Sequence, residues 1–204
     1  MSYSIEQEIK AMLTANEFTK LLSHFELAYD QYQTQQNNYY DSADQKLKKA
    51  QAALRLRNFN THSEWTFKQK QDQHRSLELT ESHSYPILPV PQTITLDQLH
   101  DPVIKDQLRY LFKDDDTLEL FLQIKTDRYL YHNEYGEWAI DRTYYGDTVD
   151  YEIELETHDL EPAKVAFENL LTALAIDFRP ADKKIARALH YLNNQMIIKA
   201  YDWY

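Results

Sequence analysis

Cysteine is absent from the 204-residue chain. That excludes a disulfide framework, a thiolate metal site and a cysteine nucleophile, so the fold must stand on packing alone. Glycine occurs only twice, where an average share of ~7% predicts about 14, which removes the glycine-rich phosphate loops of P-loop and dinucleotide-binding proteins. No apolar run approaches the roughly 20 residues of a membrane span. The opening MSYSIEQEIK is polar and acidic, without the apolar centre of a secretory signal, and the expected location is the cytoplasm, with no membrane partner. Basic residues are the minority, 22 Lys+Arg against 33 Asp+Glu for a net charge of -11. This argues against the broad basic face that nucleic-acid binding uses. Tyrosine, by contrast, is plentiful, with 16 copies beside three tryptophans, and aromatic residues favour pleated surfaces. The length suffices to bury a core as one domain spanning residues 1–204.

Hydrophobic periodicity predicts about eight strands. Ser4 to Lys10 alternates strictly, Glu6, Glu8 and Lys10 opposite Ile5 and Ile9. Tyrosine-rich 32–42 reads as a strand, and Ala53 to Phe59 sets Leu54 and Leu56 opposite Arg55 and Arg57. Trp65 to Lys70, 75–83, a long Leu118 to Leu130, 137–143 and 149–156 follow the same rule, with Gly136 and Gly146 at hairpin turns that need positive φ. Helical spacing appears at 14–30, where Thr14 and Asn16 are candidate caps, and briefly after Asp44. It returns before and through DPVIKDQLRYLF, at 162–176 and at 182–200. Three prolines in SYPILPVPQ mark a connection. The whole reads as one α+β domain.

The polar faces of these strands carry clustered charge: Glu-x-Glu-x-Lys at 6–10, Arg-x-Arg at 55–57, Lys-x-Lys at 68–70 and Glu-x-Glu-x-Glu at 152–156. An ordinary solvated face gains from mixing signs, because like charges along one face repel. Eight strands can close into a barrel. Placing the charges inside and the helices over the apolar outside accounts for both features, and leaves a charged tunnel. Carboxylates at i and i+2 suit a hard cation such as Mg²⁺ or Mn²⁺, while Arg and Lys rows suit phosphate oxygens.

EQEIK at 6–10 resembles the Glu-x-Glu-x-Lys signature of the CYTH superfamily, the triphosphate tunnel metalloenzymes. The similarity continues in order through YYDSAD (39–44), ALRLR (53–57), TFKQK (66–70), LELTES (77–82), KTDR (125–128), AIDRTYY (139–145), DYEIELE (150–156) and DKKIAR (182–187). The resemblance implies an eight-stranded antiparallel barrel that binds a small-molecule triphosphate and hydrolyses or cyclises it with a divalent metal. By the same resemblance Glu6, Glu8, Glu152 and Glu154 are metal ligands, with Glu6, Glu8 and Lys10 catalytic. Lys10, Arg55, Arg57, Lys68, Arg128 and Lys184 hold phosphate oxygens, with Lys70 at the end of its row. Glu78 and Asp141 are further acidic tunnel positions, as ligands or as partners of the basic side chains. Glu156 is expected beyond the metal, towards a mouth. Lys125 and Arg128 are three apart, so a regular strand points them to opposite faces and a bulge is needed to bring both inward.

Other residues read more plainly. Arg142 shares the face of Trp138 and Ile140 and is expected outside; Lys46, Lys48 and Lys49 form a solvated helix face; the eight histidines lack ligand spacing. The expected activity is metal-dependent hydrolysis of tripolyphosphate, thiamine triphosphate or a nucleoside triphosphate by a monomer or homodimer. An adenylyl cyclase and a non-catalytic polyphosphate or nucleotide binder are the alternatives.

Overall fold

The computed structural model describes the backbone of residues 2–201 and the side chains of 7–193, in both cases apart from 73, 85 and 86. Its strands are β1 (Ser2–Leu13), β2 (Gln33–Asp41), β3 (Ala52–Asn58), β4 (His62–Lys70), β5 (Arg75–Ser84), β6 (Thr93–Thr95), β7 (Thr117–Asn133), β8 (Gly136–Tyr145) and β9 (Thr148–Thr157). The helices are α1 (Ala15–His24), α2 (Lys46–Lys49), α3 (Pro102–Arg109), α4 (Leu160–Ala173) and α5 (Lys184–Tyr201). The strand order is β2-β3-β4-β5-β1-β9-β8-β7, and β2 pairs back onto β7, closing an eight-stranded antiparallel barrel. β6, which lies in a stretch expected to be helical, is a short ninth strand on the start of β7, where β8 does not reach.

Register makes the inside and outside explicit, because directly opposed residues share a face. Tyr39 opposes Arg55, Arg55 opposes Thr66, and Thr66 opposes Thr80. Glu8 opposes Glu156, Glu152 opposes Asp141, Asp141 opposes Arg128, and Leu122 returns to Tyr39. One unbroken face therefore carries the charges, and it is the inner one. The outer face is apolar: Leu54, Leu56, Trp65, Phe67 and Leu79 pack with Ile104 and Leu108 of α3. On the far side Ala11, Trp138, Ile140, Ile153 and Leu155 pack with Phe18 and Leu21 of α1 and Phe167 of α4. α1 starts at a capping box, Thr14 accepting from the Glu17 backbone while Glu17 accepts from that of Thr14. It ends at His24, earlier than the periodicity suggests, because Glu26 turns left-handed at φ 55°.

α5 departs from the expected outer layer. Its Ile185, Ala188, Leu189 and Leu192 pack against Tyr39, Leu122, Ile124 and Tyr145, all on the inner face by the register above. The helix therefore stoppers one end of the barrel instead of covering its wall. The segment before it is held to β1 by Met12 N–H donating to the Arg179 carbonyl (2.8 Å) and by an Ala11–Pro180 bridge, and to α1 by the Arg179–Glu17 ion pair. Among the described residues no helix is long and apolar enough to cross a membrane.

Gly136 opens β8 at φ 139°, and a Cβ there runs into the Glu156 carbonyl oxygen. Backbone cannot step aside as a side chain can, so Gly136→Ala is expected to destabilise the protein by about 1–3 kcal/mol. Urea denaturation measures this, and an unchanged midpoint would show the turn relaxing without strain.

Candidate functional site

The inner face divides into a basic half and an acidic half. In the basic half Arg55 and Arg57 of β3 stand beside Lys68 of β4 and Glu78 of β5. Glu78 lies between Arg55 Nη2 (3.8 Å) and Lys68 Nζ (3.6 Å). Arg57 is enclosed, and its Nε donates to Asn37 Oδ1 at 2.9 Å while the guanidinium lies over the Phe59 ring. Among the described residues no carboxylate forms an ion pair with it. Burial, then the like charges of Arg55 and Arg128, push its pKa down to about 10. A guanidinium held away from water beside like charges is one that gains from an incoming anion.

The acidic half is built by β8 and β9. Asp141, Glu152 and Glu154 bring one oxygen each within 4.8 Å of one another, and Asp141 and Glu152 are fully buried. Arg128 of β7 spans two of them, Nε and Nη2 donating to Asp141 (2.8 and 2.6 Å) and Nη2 also to Glu154 (2.7 Å). Lys184 Nζ reaches Asp141 Oδ2 at 2.8 Å and Glu154 Oε1 at 3.0 Å, and also touches Glu152 Oε1. Burial raises the Asp141 carboxyl, but Arg128 and Lys184 outweigh it and hold the group well below the usual range. The opposite holds for Lys184: burial, with Arg128 and Lys10 nearby, outweighs Asp141 and brings its ammonium down to about 7.

Lys10 bridges the halves, donating to Glu8 at 2.8 Å with Glu154 Oε1 at 3.5 Å. Burial works against Glu8 ionising, yet Lys10, Lys68 and Lys184 overcome it and hold the carboxyl at about 2. Glu156 lies on the same face opposite both Glu8 and Glu137. There burial, then Glu137 and Glu78, push it upward.

The structure brings together Glu8, Lys10, Arg55, Arg57, Lys68, Glu78, Arg128, Asp141, Glu152, Glu154 and Lys184. Lys70 continues the inner row of β4 to its exposed end. The Glu6 side chain falls outside the described residues, although its backbone lies in β1 opposite Ser76. Lys125 is misplaced by the sequence reading: β7 shows no bulge between 125 and 128, its register shift falling opposite Tyr39 and Tyr40. Lys125 therefore points outward, half exposed, towards Asp127 (3.8 Å) and the Tyr144 ring. Arg142 is outside as expected, paired with Asp127 at 3.0 Å beneath Tyr29 and Tyr32.

Three residues join the site that the motif reading did not assign. Arg187 Nε donates to Asp150 Oδ2 (2.7 Å) and Nη2 to Glu152 Oε2 (2.5 Å). Lys183 lies near Lys70, Lys68 and Lys10, and burial followed by those charges lowers its pKa. The signals were present: Asp150 extends the alternation of 152–156, and Arg187 is one helical turn from Lys184.

Comparison with known proteins accords with this geometry. A protein of Bacillus subtilis (strain 168) named "Putative triphosphatase YjbK" is 34% identical over 187 residues, 92% of this chain and 95% of that one. The crystal structure of a "putative adenylate cyclase" from Bacillus halodurans superposes with a TM-score of 0.76 at 26% identity, covering 92% of this chain and 98% of that one. A Hippeastrum protein described as a "putative adenylyl cyclase" with a dominant triphosphatase activity shares the fold, with a TM-score of 0.71 at 20% identity over 91% of this chain and 95% of its own. The CYTH domain family profile matches residues 4–189, and with the closed barrel and its charged interior in place, the chain belongs to the CYTH domain family.

Proposed function

We propose that this protein is a divalent-metal-dependent triphosphatase whose substrate is a small-molecule triphosphate lying in the barrel: inorganic tripolyphosphate, thiamine triphosphate or a nucleoside triphosphate. The observation that carries the proposal is the part-buried Arg57, held by Asn37 and the Phe59 ring and standing beside Arg55 and Arg128, a concentration of cationic donors that suits a polyanion. The name of the Bacillus subtilis relative agrees with it.

Asp141, Glu152 and Glu154 fit a hard divalent cation, since all three offer carboxylate oxygen and the Lys184 ammonium already stands in as a cation among them. Glu8 extends that set, and the Glu-x-Glu-x-Lys resemblance adds Glu6 to it. Mg²⁺ or Mn²⁺ bound there supplies charge neutralisation at phosphate oxygens. The protein's own groups do the rest. Arg55, Arg57 and Arg128 bind the non-bridging oxygens of one part of the chain of phosphates, and Lys10, Lys68 and Lys70 those of another. Their charges stand along the inner face before the substrate arrives, so they stabilise developing negative charge with little reorganisation. A water oxygen bonds to the terminal phosphorus as the bridging P–O bond breaks, the water's proton passing to solvent or to the departing phosphate. The electron pair of the broken bond leaves on the departing phosphate oxygen, beside Lys10 or an arginine that offsets it.

Glu152→Gln is expected to lower orthophosphate release from tripolyphosphate, ATP or thiamine triphosphate by roughly 10²-fold or more, and EDTA to abolish release in the wild type. Arg57→Gln is expected to raise KM about 10- to 100-fold, the worth of a charge-assisted hydrogen bond. Lys125→Ala, on the outer face, is expected to stay within about twofold. Phosphate release assays read all three. Cyclic AMP from ATP would favour a cyclase, and tight binding without turnover a binding protein. A Lys125 effect as large as that of Arg57 would overturn the assignment of faces.

A further inference from the structure

The Lys184 ammonium is surrounded by the same three carboxylates that fit a divalent ion, within 2.8 Å of Asp141 and 3.0 Å of Glu154 and against Glu152. Each of these carboxylates already has a cationic partner besides Lys184, Asp141 and Glu154 in Arg128 and Glu152 in Arg187. A divalent cation entering beside an undisplaced ammonium meets a repelling positive charge and a filled position. Arg128 and Arg187 cannot easily give way, because each is fixed through more than one nitrogen. Lys184 holds by a single flexible arm, as the first residue of α5.

We propose that Lys184 is a resident counter-ion of the metal site, so that α5 seated in the barrel mouth and a bound divalent metal compete for the same three carboxylates. This rests on the metal-dependent reading above. The seat of α5 supplies the coupling: Ile185, Ala188, Leu189 and Leu192 hold the helix against the inner wall, and that contact delivers the ammonium. When a triphosphate is present, its oxygens offer the displaced ammonium a new partner on the side where Lys10, Lys68 and Lys183 already gather. Metal alone then binds weakly, metal with polyanion tightly, and each strengthens the other by the same factor. The fold thus favours the metal–triphosphate complex over the free ion.

The test is Mn²⁺ binding without any phosphate, followed by electron paramagnetic resonance of the free ion, in the wild type, Lys184→Met, Lys184→Arg and Leu189→Ala. Lys184→Met removes the competing charge, and Leu189→Ala loosens α5 while leaving Lys184 intact. Both are expected to bind Mn²⁺ at least about tenfold more tightly than the wild type, and Lys184→Arg no more tightly. Backbone amides of 185–193 in the wild type are expected to exchange hydrogen faster when Mn²⁺ is added. If Lys184→Met fails to fold, Leu189→Ala and the exchange measurement decide. Equal or weaker Mn²⁺ binding in Leu189→Ala and in any folded Lys184→Met would overturn the proposal while metal-dependent turnover still stood. No Mn²⁺ binding by any variant, with no metal-dependent turnover, would overturn both readings.

Discussion

Charge held away from water is the constraint that organises this protein. Removing an ion from water costs several kcal/mol even after relaxation, and the inner face of the barrel carries such ions on nearly every strand. They are tolerable because closure places opposite signs on neighbouring strands: Asp141 on β8 beside Arg128 on β7, Glu154 on β9 beside Lys10 on β1, Glu78 on β5 beside Lys68 on β4. Each pairing exists only at the observed register, since a one-residue slip of a strand sends its inner charges to the outer face and its outer apolar side chains inward. The two apolar shells under α3 and under α1 and α4 oppose that slip. Hydrophobic packing outside thus holds an electrostatic arrangement inside that does not by itself favour folding.

The balance is uneven along the barrel, and the unevenness separates binding from structure. Asp127 with Arg142 is a closed pair outside, satisfied by Thr34 and Tyr144 as well. Arg57 has an amide oxygen and an aromatic ring where a structural arginine would have a carboxylate. Lys184 has three carboxylates where one would suffice. Surplus of one sign at one position and of the other sign a few strands away suits a ligand that is itself divided, an anion accompanied by a cation.

Much of this was legible because strand parity is a local property. Glu8 and Lys10, Arg55 and Arg57, and Glu152 and Glu154 declare a shared face at a spacing of two, and the apolar partners between them declare the other. The same rule, applied strictly, puts Lys125 outside; admitting a bulge relaxed it, and the bulge falls elsewhere on β7, opposite Tyr39 and Tyr40. The position of α5 was not legible. Ile185, Ala188, Leu189 and Leu192 form an apolar stripe that fits an outer wall as well as an inner one, and what decides is the apolar patch of Tyr39, Leu122, Ile124 and Tyr145 at one end of the inner face. That patch is assembled from three strands distant in sequence. Arg187 and Asp150 went unassigned for the same reason, their meeting being a consequence of where the helix ends up.

β1 has two neighbours in succession. Ser2 to Gln7 pair with β5, and Gln7 to Leu13 pair with β9, so that Gln7 opposes both Arg75 and Thr157. The strand that joins the two halves of the ring is therefore the one that precedes all the other barrel strands along the chain, and part of its pairing waits for residues close to 157. Loop-closure entropy must be overcome before such contacts reward it, which makes this topology slow to complete. During synthesis the β2–β5 strands can pair among themselves while the N-terminal strand still lacks its second partner. Its far end, from Ala11 to Met12, is finally covered by the segment around Arg179 and Pro180. The seam through β1 is thus the last part of the barrel able to close, and the segment leading to α5 closes over it.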